Sequence, residues 1–376
     1  MIFANMQSHA NGAAQARRSR SMSKITQKAD PCLWDYKRLR EFEPDPRERI
    51  LGENLITQGG LSLLVGPPDV GKTKIAIQLA VNLVSGRSKW LKQIDIHQNR
   101  LKVFFVQTEN SPTRINYEIG RALNMRRIPP THPIFENLKF YIPKTIKDRS
   151  MLNQRTQQKI SRMIEEIEPD LVIFDPYRDF FVGNNENDAV DTRKTIYWLM
   201  RIAQVTNPKA ATLVIHHSLT GQNALRKAYG PEASEYARGS KALMSIARCQ
   251  INCAPRRDIL GDEMVIVCAK NNDGPKFAPF GLRRNPVSDQ FEYDESFDFD
   301  EWNKFRKNGK GEQQPKSKVT KEHFQTILKD TRLSKKLLSQ KVQKTAKCSQ
   351  STAYEAIGKS LEKGILKMKK GKYLIA

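Results

Sequence analysis

The chain lacks what disulfides, a structural zinc or a membrane would need to carry its fold. Its five cysteines stand at 32, 249, 253, 268 and 348 with no CxxC pair and no histidines beside them at zinc spacing. A disulfide framework and a zinc ribbon are thereby excluded, leaving reduced, mostly buried thiols of a cytoplasmic protein as the expectation. No apolar run approaches the roughly 20 residues that a membrane-spanning helix requires, so no membrane partner is expected. No internal repeat is visible. Acid is scarce: the first 29 residues contain none, and the whole chain sets 40 Asp and Glu against 64 Lys and Arg, a formal net charge of +24. That excess predicts attraction to a polyanion, most simply nucleic acid, with affinity that falls as salt rises.

At 376 residues the expectation is two domains and a tail. Residues 1–30, with Arg17, Arg18 and Arg20 among Ala, Ser, Asn and Gln, have a transit peptide's composition without an amphipathic stripe, and read as a disordered basic arm. A lead-in over 31–58 carries Trp34, Tyr36, Leu39, Phe42 and Ile50, expected to pack on the next domain. Short apolar runs at 61–65, 103–106, 171–174, 213–215 and 265–268 read as buried strands. Helical spacing covers 72–85, 114–123, 154–168 and 192–205. Strands alternating with helices predict an α/β domain over 31–302 with a mostly parallel sheet covered on both faces. Residues 303–318, almost without apolar side chains, read as a linker. Residues 319–376 then offer three helical patterns, the last capped by Ser349, and a terminal hairpin turning at Lys370-Gly371. Three helices and a hairpin describe a small winged-helix domain.

Residues 66–73 match G-x-x-x-x-G-K-[ST]: Gly66, Pro67, Pro68, Asp69, Val70, Gly71, Lys72 and Thr73. A buried strand precedes them and an amphipathic helix follows, the setting in which backbone N–H groups close around phosphates. Lys72 supplies charge to the β and γ phosphates and Thr73 a hydroxyl to Mg²⁺, so ATP and Mg²⁺ are the expected ligands. Asp69 puts a carboxylate where such loops often have a small residue. Asp175 ends the run Leu171-Val-Ile-Phe at the strand edge where ligands bind in open α/β sheets, and can serve Mg²⁺. Glu109 ends another strand and can activate the attacking water. His216 and His217 close a fourth; one of them can sense the γ phosphate, while a shared metal is disfavoured because adjacent strand residues face opposite ways.

Phosphate loop, Glu after the next strand, apolar-Asp-Pro at the third, His-His at the fourth, then Arg-Gly-Ser: this order resembles the RecA-type ATPases of the RepA branch. Those are hexameric replicative helicases of plasmids and other mobile elements, related to the DnaB helicases. The resemblance covers roughly residues 50–285. It implies a RecA-like fold, a ring of identical subunits with ATP between them, and single-stranded DNA in a central channel. By it, Lys72, Thr73, Glu109 and Asp175 match the ATP and Mg²⁺ positions, and His216 or His217 the phosphate sensor. Arg238 matches an arginine finger reaching the neighbour's ATP, and Lys270 a further basic residue near that interface.

Two basic regions remain. Residues 219–237 hold Arg226 and Lys227, and suit either a mobile loop tracking a DNA backbone or a surface loop without ligand. The C-terminal unit holds Lys359, Lys367, Lys369 and Lys370, placed for a duplex groove and its phosphates, or for docking another replication protein. The expectation is an ATP-dependent DNA helicase. The alternative is an ATP-regulated initiator, regulator or recombination mediator that does not unwind. A small-molecule kinase leaves the charge and the C-terminal unit without a purpose.

Overall fold

The computed structural model describes residues 32–375 except 99, 130, 146–147, 150–152, 221, 258–261, 309–318, 320, 330, 347–349, 363 and 370. The expected basic arm, most of the expected linker, Ser349 and Lys370 lie outside the described residues. The chain divides into two compact units, Met1–Pro46 and Arg47–Ala376. In the first, Asp35 caps a short helix, Tyr36–Arg40, by accepting the N–H of Arg38 at 2.8 Å. Trp34 meets Phe42 edge to face at 5.4 Å, and the Arg38 guanidinium lies over the Trp34 ring at 3.8 Å.

The second unit is organised by one sheet. Its strands are β1 (Leu61–Gly66), β2 (Val103–Gln107), β3 (Leu138–Tyr141), β4 (Leu171–Asp175), β5 (Ala211–His217), β6 (Cys249–Pro255), β7 (Glu263–Asn271), β8 (Phe280–Arg284) and β9 (Phe291–Tyr293). Their order is β9-β8-β7-β6-β1-β5-β4-β2-β3. From β6 to β3 every pairing is parallel; β7, β8 and β9 continue as an antiparallel meander. The unit's helices include α1 (Lys72–Ser85), α2 (Pro112–Arg126), α3 (Gln154–Ile167), α4 (Ala189–Ala203), α5 (Lys241–Ile246) and α6 (Phe299–Asn308).

The period-2 geometry of strands sorts the core into two layers. Leu64, Phe105, Ile173 and Ile215 face α1 and α2. Leu63, Phe104, Phe174 and Val214 face the other way, onto Ile160 and Ile164 of α3 and Ile196 and Leu199 of α4. Both faces are covered, which is why the central strands read as continuous apolar runs. Among the described residues, no helix is long and apolar enough to cross a membrane.

The structure departs from the sequence-based expectation in its strands, where β3, β6, β8 and β9 are additions, and at the expected linker. Strand β6 was not expected because Gln250 and Asn252 interrupt its apolar pattern; both are fully buried, their amides bonded to the carbonyls of Ala228 and Ala233. The chain is also still helical where a linker was expected to begin at 303. Helix α6 runs to Asn308, with Trp302 and Phe305 buried in the second layer and the Trp302 indole donating to Pro255 O at 3.2 Å. After 318 come α7 (Lys321–Leu328), α8 (Lys335–Ala346), α9 (Gln350–Glu362) and a hairpin of β10 (Leu366–Lys369) with β11 (Lys372–Ile375). They share a separate apolar cluster of Phe324, Leu338, Val342, Ile357, Leu366 and Tyr373.

Trp302→Ala is therefore expected to destabilise the second unit by about 3–5 kcal/mol, the cost of deleting a buried aromatic. Urea unfolding monitored by far-UV circular dichroism measures it. A change under about 0.5 kcal/mol, typical of a surface position, would return this stretch to the linker.

Candidate active site

The phosphate-type loop joins β1 to α1 under tight steric limits. A Cβ on Gly66 would lie 2.5 Å from the Cys253 carbonyl. Gly71 has φ +101°, and a Cβ there would run into the Phe291 ring. Only glycine meets both demands at Gly71. Asp69 also takes a left-handed φ of +59°, a conformation that Asp tolerates better than most residues. Its carboxylate lines a cavity of about 460 Å³ together with Pro68, Gly71, Lys72 and Thr73. That volume falls within the range of small-molecule sites. Lys72 is 6% exposed, and its ammonium donates to Pro67 O at 2.7 Å. Burial lowers its pKa, and the carboxylates of Asp175 and Glu109 oppose that.

Strand register brings the acids to the same place. Gln107 at the end of β2 lies opposite Asp175 at the end of β4, and Gly66 lies opposite His217 at the end of β5. Thr73 donates its hydroxyl to Asp175 Oδ2 at 2.6 Å, and Gln107 donates Nε2 to the same oxygen at 2.7 Å. Burial pushes the Asp175 carboxyl up to about 6, against the bond from Thr73. Glu109 is half exposed and sits 3.9 Å from His217 Nε2. His217 holds its carboxyl below the usual range, so it is anionic at neutral pH. The Thr73 hydroxyl and the Asp175 carboxylate are hard oxygen donors converging beside a lysine, a set that fits Mg²⁺.

The two histidines separate, as opposite strand faces require. His217 lines the cavity. His216 is buried on the other side, edge to face with Tyr177 at 4.9 Å, and its Nε2 is 2.7 Å from Arg238 O. The N–H of Arg238 in turn donates to His217 O at 3.0 Å. The strand end thus grips the Arg238 backbone from both sides. Its guanidinium is 52% exposed, 3.9 Å from Glu186.

Other expected residues lie apart from the cavity. Val70 is fully buried in the core, and Pro67 contributes its carbonyl. Lys270 is absent from the cavity lining; its ammonium donates to Met244 O at 2.7 Å, at the end of α5. Within 219–237, Ala224, Ala228, Ala233, Tyr236 and Ala237 are buried. Lys227 pairs with Glu235 at 2.8 Å, and the Arg226 carbonyl accepts from Arg306. Lys367 and Lys369 are exposed on β10, and Lys359 is on α9.

Sequence reasoning missed one side of the cavity. Buried Lys74, next to Thr73, bonds Glu118 at 3.0 Å and Asp289 at 2.8 Å, and Asp289 also pairs with Arg284. Arg114, Arg284 and Phe291 also line the cavity. Asp289, Arg284 and Phe291 lie more than 200 residues beyond the loop in sequence, and no local pattern announces them.

Comparison with known proteins gives three likenesses. The sequence model of the AAA domain family AAA_25 matches residues 26–223. The chain is similar to the DNA repair protein RadA of Chlamydia pneumoniae, 26% identical over 173 residues, which are 45% of this chain and 30% of that protein. The chain thus matches under a third of the relative's length. Among solved structures it is similar to the RadB recombinase at 18% identity and a TM-score of 0.42, over 64% of this chain and 93% of that one.

Burial pushes His216 down to about 4, below the roughly 6.5 of an unfolded histidine. A depressed pKa contributes stability above pH 6.5 and loses it as pH falls through 4. His216→Gln keeps a polar partner for Arg238 and cannot charge. Between pH 7 and 4 the wild type is expected to lose on the order of 3 kcal/mol relative to this variant. Denaturant titrations across that range measure the difference. Asp175 titrates in both proteins and cancels. A pH-independent difference would mean the imidazole is not held neutral.

Proposed function

The chain belongs to the AAA_25 family, RecA-type P-loop ATPases, and from that premise we propose that it hydrolyses ATP to do work on DNA. In this reading it is an ATP-dependent translocase and helicase, assembled as a ring of identical subunits, hexameric by resemblance to the RepA branch, that serves replication of a plasmid or other mobile element. The observation that carries the reading is the meeting of Lys72, Thr73, Asp175, Glu109 and His217 around one cavity. Lys72 and the N-terminal amides of α1 offer positive charge to phosphate oxygens. Glu109 is anionic and beside the cavity, placed to take the proton of a water that attacks the γ phosphorus as the bond to ADP breaks. His217 stands next to it as the group that registers whether a γ phosphate is present. Mg²⁺, bound through Thr73 and Asp175, would neutralise charge on the phosphates.

Arg238 suits a role across a subunit boundary: its backbone is fixed, its guanidinium is exposed, and it does not line its own cavity. Lys270 belongs to the same proposed interface. The net charge of +24 supports DNA as the polymer. Lys359, Lys367, Lys369 and Lys370 are proposed to hold duplex DNA in a winged-helix arrangement, with Arg226 contributing from the ATPase unit. Lys227, committed to Glu235, is the weakest of the DNA candidates.

The likeness to a protein named for DNA repair favours a second reading, a recombination mediator in which ATP switches assembly on DNA and no strands separate. A strand-displacement assay on a forked duplex, run beside an ATPase assay, divides the two. Wild type is expected to show hydrolysis stimulated by single-stranded DNA, weakening with salt, and to displace a strand. Lys72→Ala should abolish both. Arg238→Ala should lower turnover by about 10³-fold or more, the usual contribution of such a finger, with ATP still bound. DNA-stimulated hydrolysis with no displacement would remove the helicase and leave the mediator.

A further inference from the structure

We propose that Gln107 is a positioning residue for ATP hydrolysis, one amide that fixes the backbone of Glu109 against the carboxylate of Asp175. The inference rests on the proposed hydrolytic role of Glu109. Gln107 is the last residue of β2 and is fully buried. Its Oε1 accepts the backbone N–H of Glu109 at 2.6 Å and that of Asn110 at 3.0 Å. Its Nε2 donates to Asp175 Oδ2 at 2.7 Å. Two backbone donors can be satisfied only by the carbonyl end of the amide, so its orientation is determined and the NH₂ end must face the carboxylate.

The geometry has a chemical consequence. Asp175 Oδ2 already accepts from Thr73 of the phosphate loop. Through Gln107, the strand end carrying Glu109 is referred to the same oxygen as the loop. The Glu109 side chain is itself half exposed, with His217 Nε2 at 3.9 Å. Its position therefore depends on its backbone. That backbone turns out of β2 toward α2, and Thr108 supports the turn through its N–H to Asp175 O at 3.1 Å and its hydroxyl to Asp179 at 2.7 Å. Gln107 joins the two strand ends through its side chain, and the Thr108 hydroxyl also reaches Asp175 O at 3.3 Å. Without its carbonyl, two buried-side N–H groups lose their acceptor, and the turn must shift to find water. A shift of about 1 Å at a catalytic carboxylate is enough to cost on the order of 100-fold in rate.

Gln107→Met preserves volume and removes every polar contact of the side chain. In the full-length protein, measured with ATP, Mg²⁺ and single-stranded DNA, kcat is expected to fall on the order of 100-fold, with KM and the affinity for a fluorescent ATP analogue within about threefold. A purely structural role would lower the melting temperature without that split. In a Glu109→Gln background, adding Gln107→Met is expected to change kcat by less than about twofold, because the two act through one group. Multiplicative losses would overturn the proposal, as would Gln107→Met with kcat within about threefold of wild type. Gln107→Asn keeps the amide and loses only reach; it is expected to show the same split and serves if the methionine variant does not fold. Wild type that hydrolyses no ATP would overturn the proposed function and this role with it. Active wild type with an indifferent Gln107 would overturn this role alone.

Discussion

The hydrogen bond from Thr73 to Asp175 is the contact on which the site depends. It joins residues 102 apart in sequence, one at the start of α1 and the other at the end of β4. A phosphate loop alone can bind phosphate at a helix N-terminus. A loop held against a carboxylate can also order a divalent cation and relate it to a general base. The parallel sheet makes this pairing possible. It delivers the C-terminal ends of β1, β2, β4 and β5 to one edge, so that Gly66, Gln107, Asp175 and His217 are near neighbours. Burying Asp175 is unfavourable for its charged form, and two donated hydrogen bonds offset part of that cost.

Much of this was legible in the sequence. The loop pattern, the apolar strands and the acids at their ends follow from local rules, and the expected helix over 72–85 coincides with α1. What was not legible depends on partners distant in sequence. Gln250 and Asn252 hide β6 because a buried amide looks like a surface residue until its partners, the carbonyls of Ala228 and Ala233, are known. Strands β8 and β9 are only five and three residues long, and the packing of Phe291 over Gly71 is what reveals their place beside the loop. The histidine pair could be assigned only as a pair. Strand alternation in the fold sends His217 to the cavity and His216 to the backbone of Arg238.

The same contacts bear on 219–237. Its composition suits a mobile polar loop or a surface loop; small alanines let it pack closely, and two buried amides fasten it to the sheet. Arg238 follows directly on that segment, and the end of β5 grips its backbone. In the proposed reading, a response of His217 to phosphate would reach Arg238 through the hydrogen bond between their backbones.

The central claim is that the loop and Asp175 form one site for ATP with Mg²⁺, joined through Thr73. Calorimetric titration of ATP with and without Mg²⁺, into wild type and Thr73→Val, tests it most directly. Wild type is expected to bind ATP more tightly with Mg²⁺ than with EDTA, while Thr73→Val retains the EDTA affinity and loses the gain from Mg²⁺. Equal affinity in wild type with and without Mg²⁺, or a Thr73→Val protein that responds to Mg²⁺ as wild type does, would contradict it.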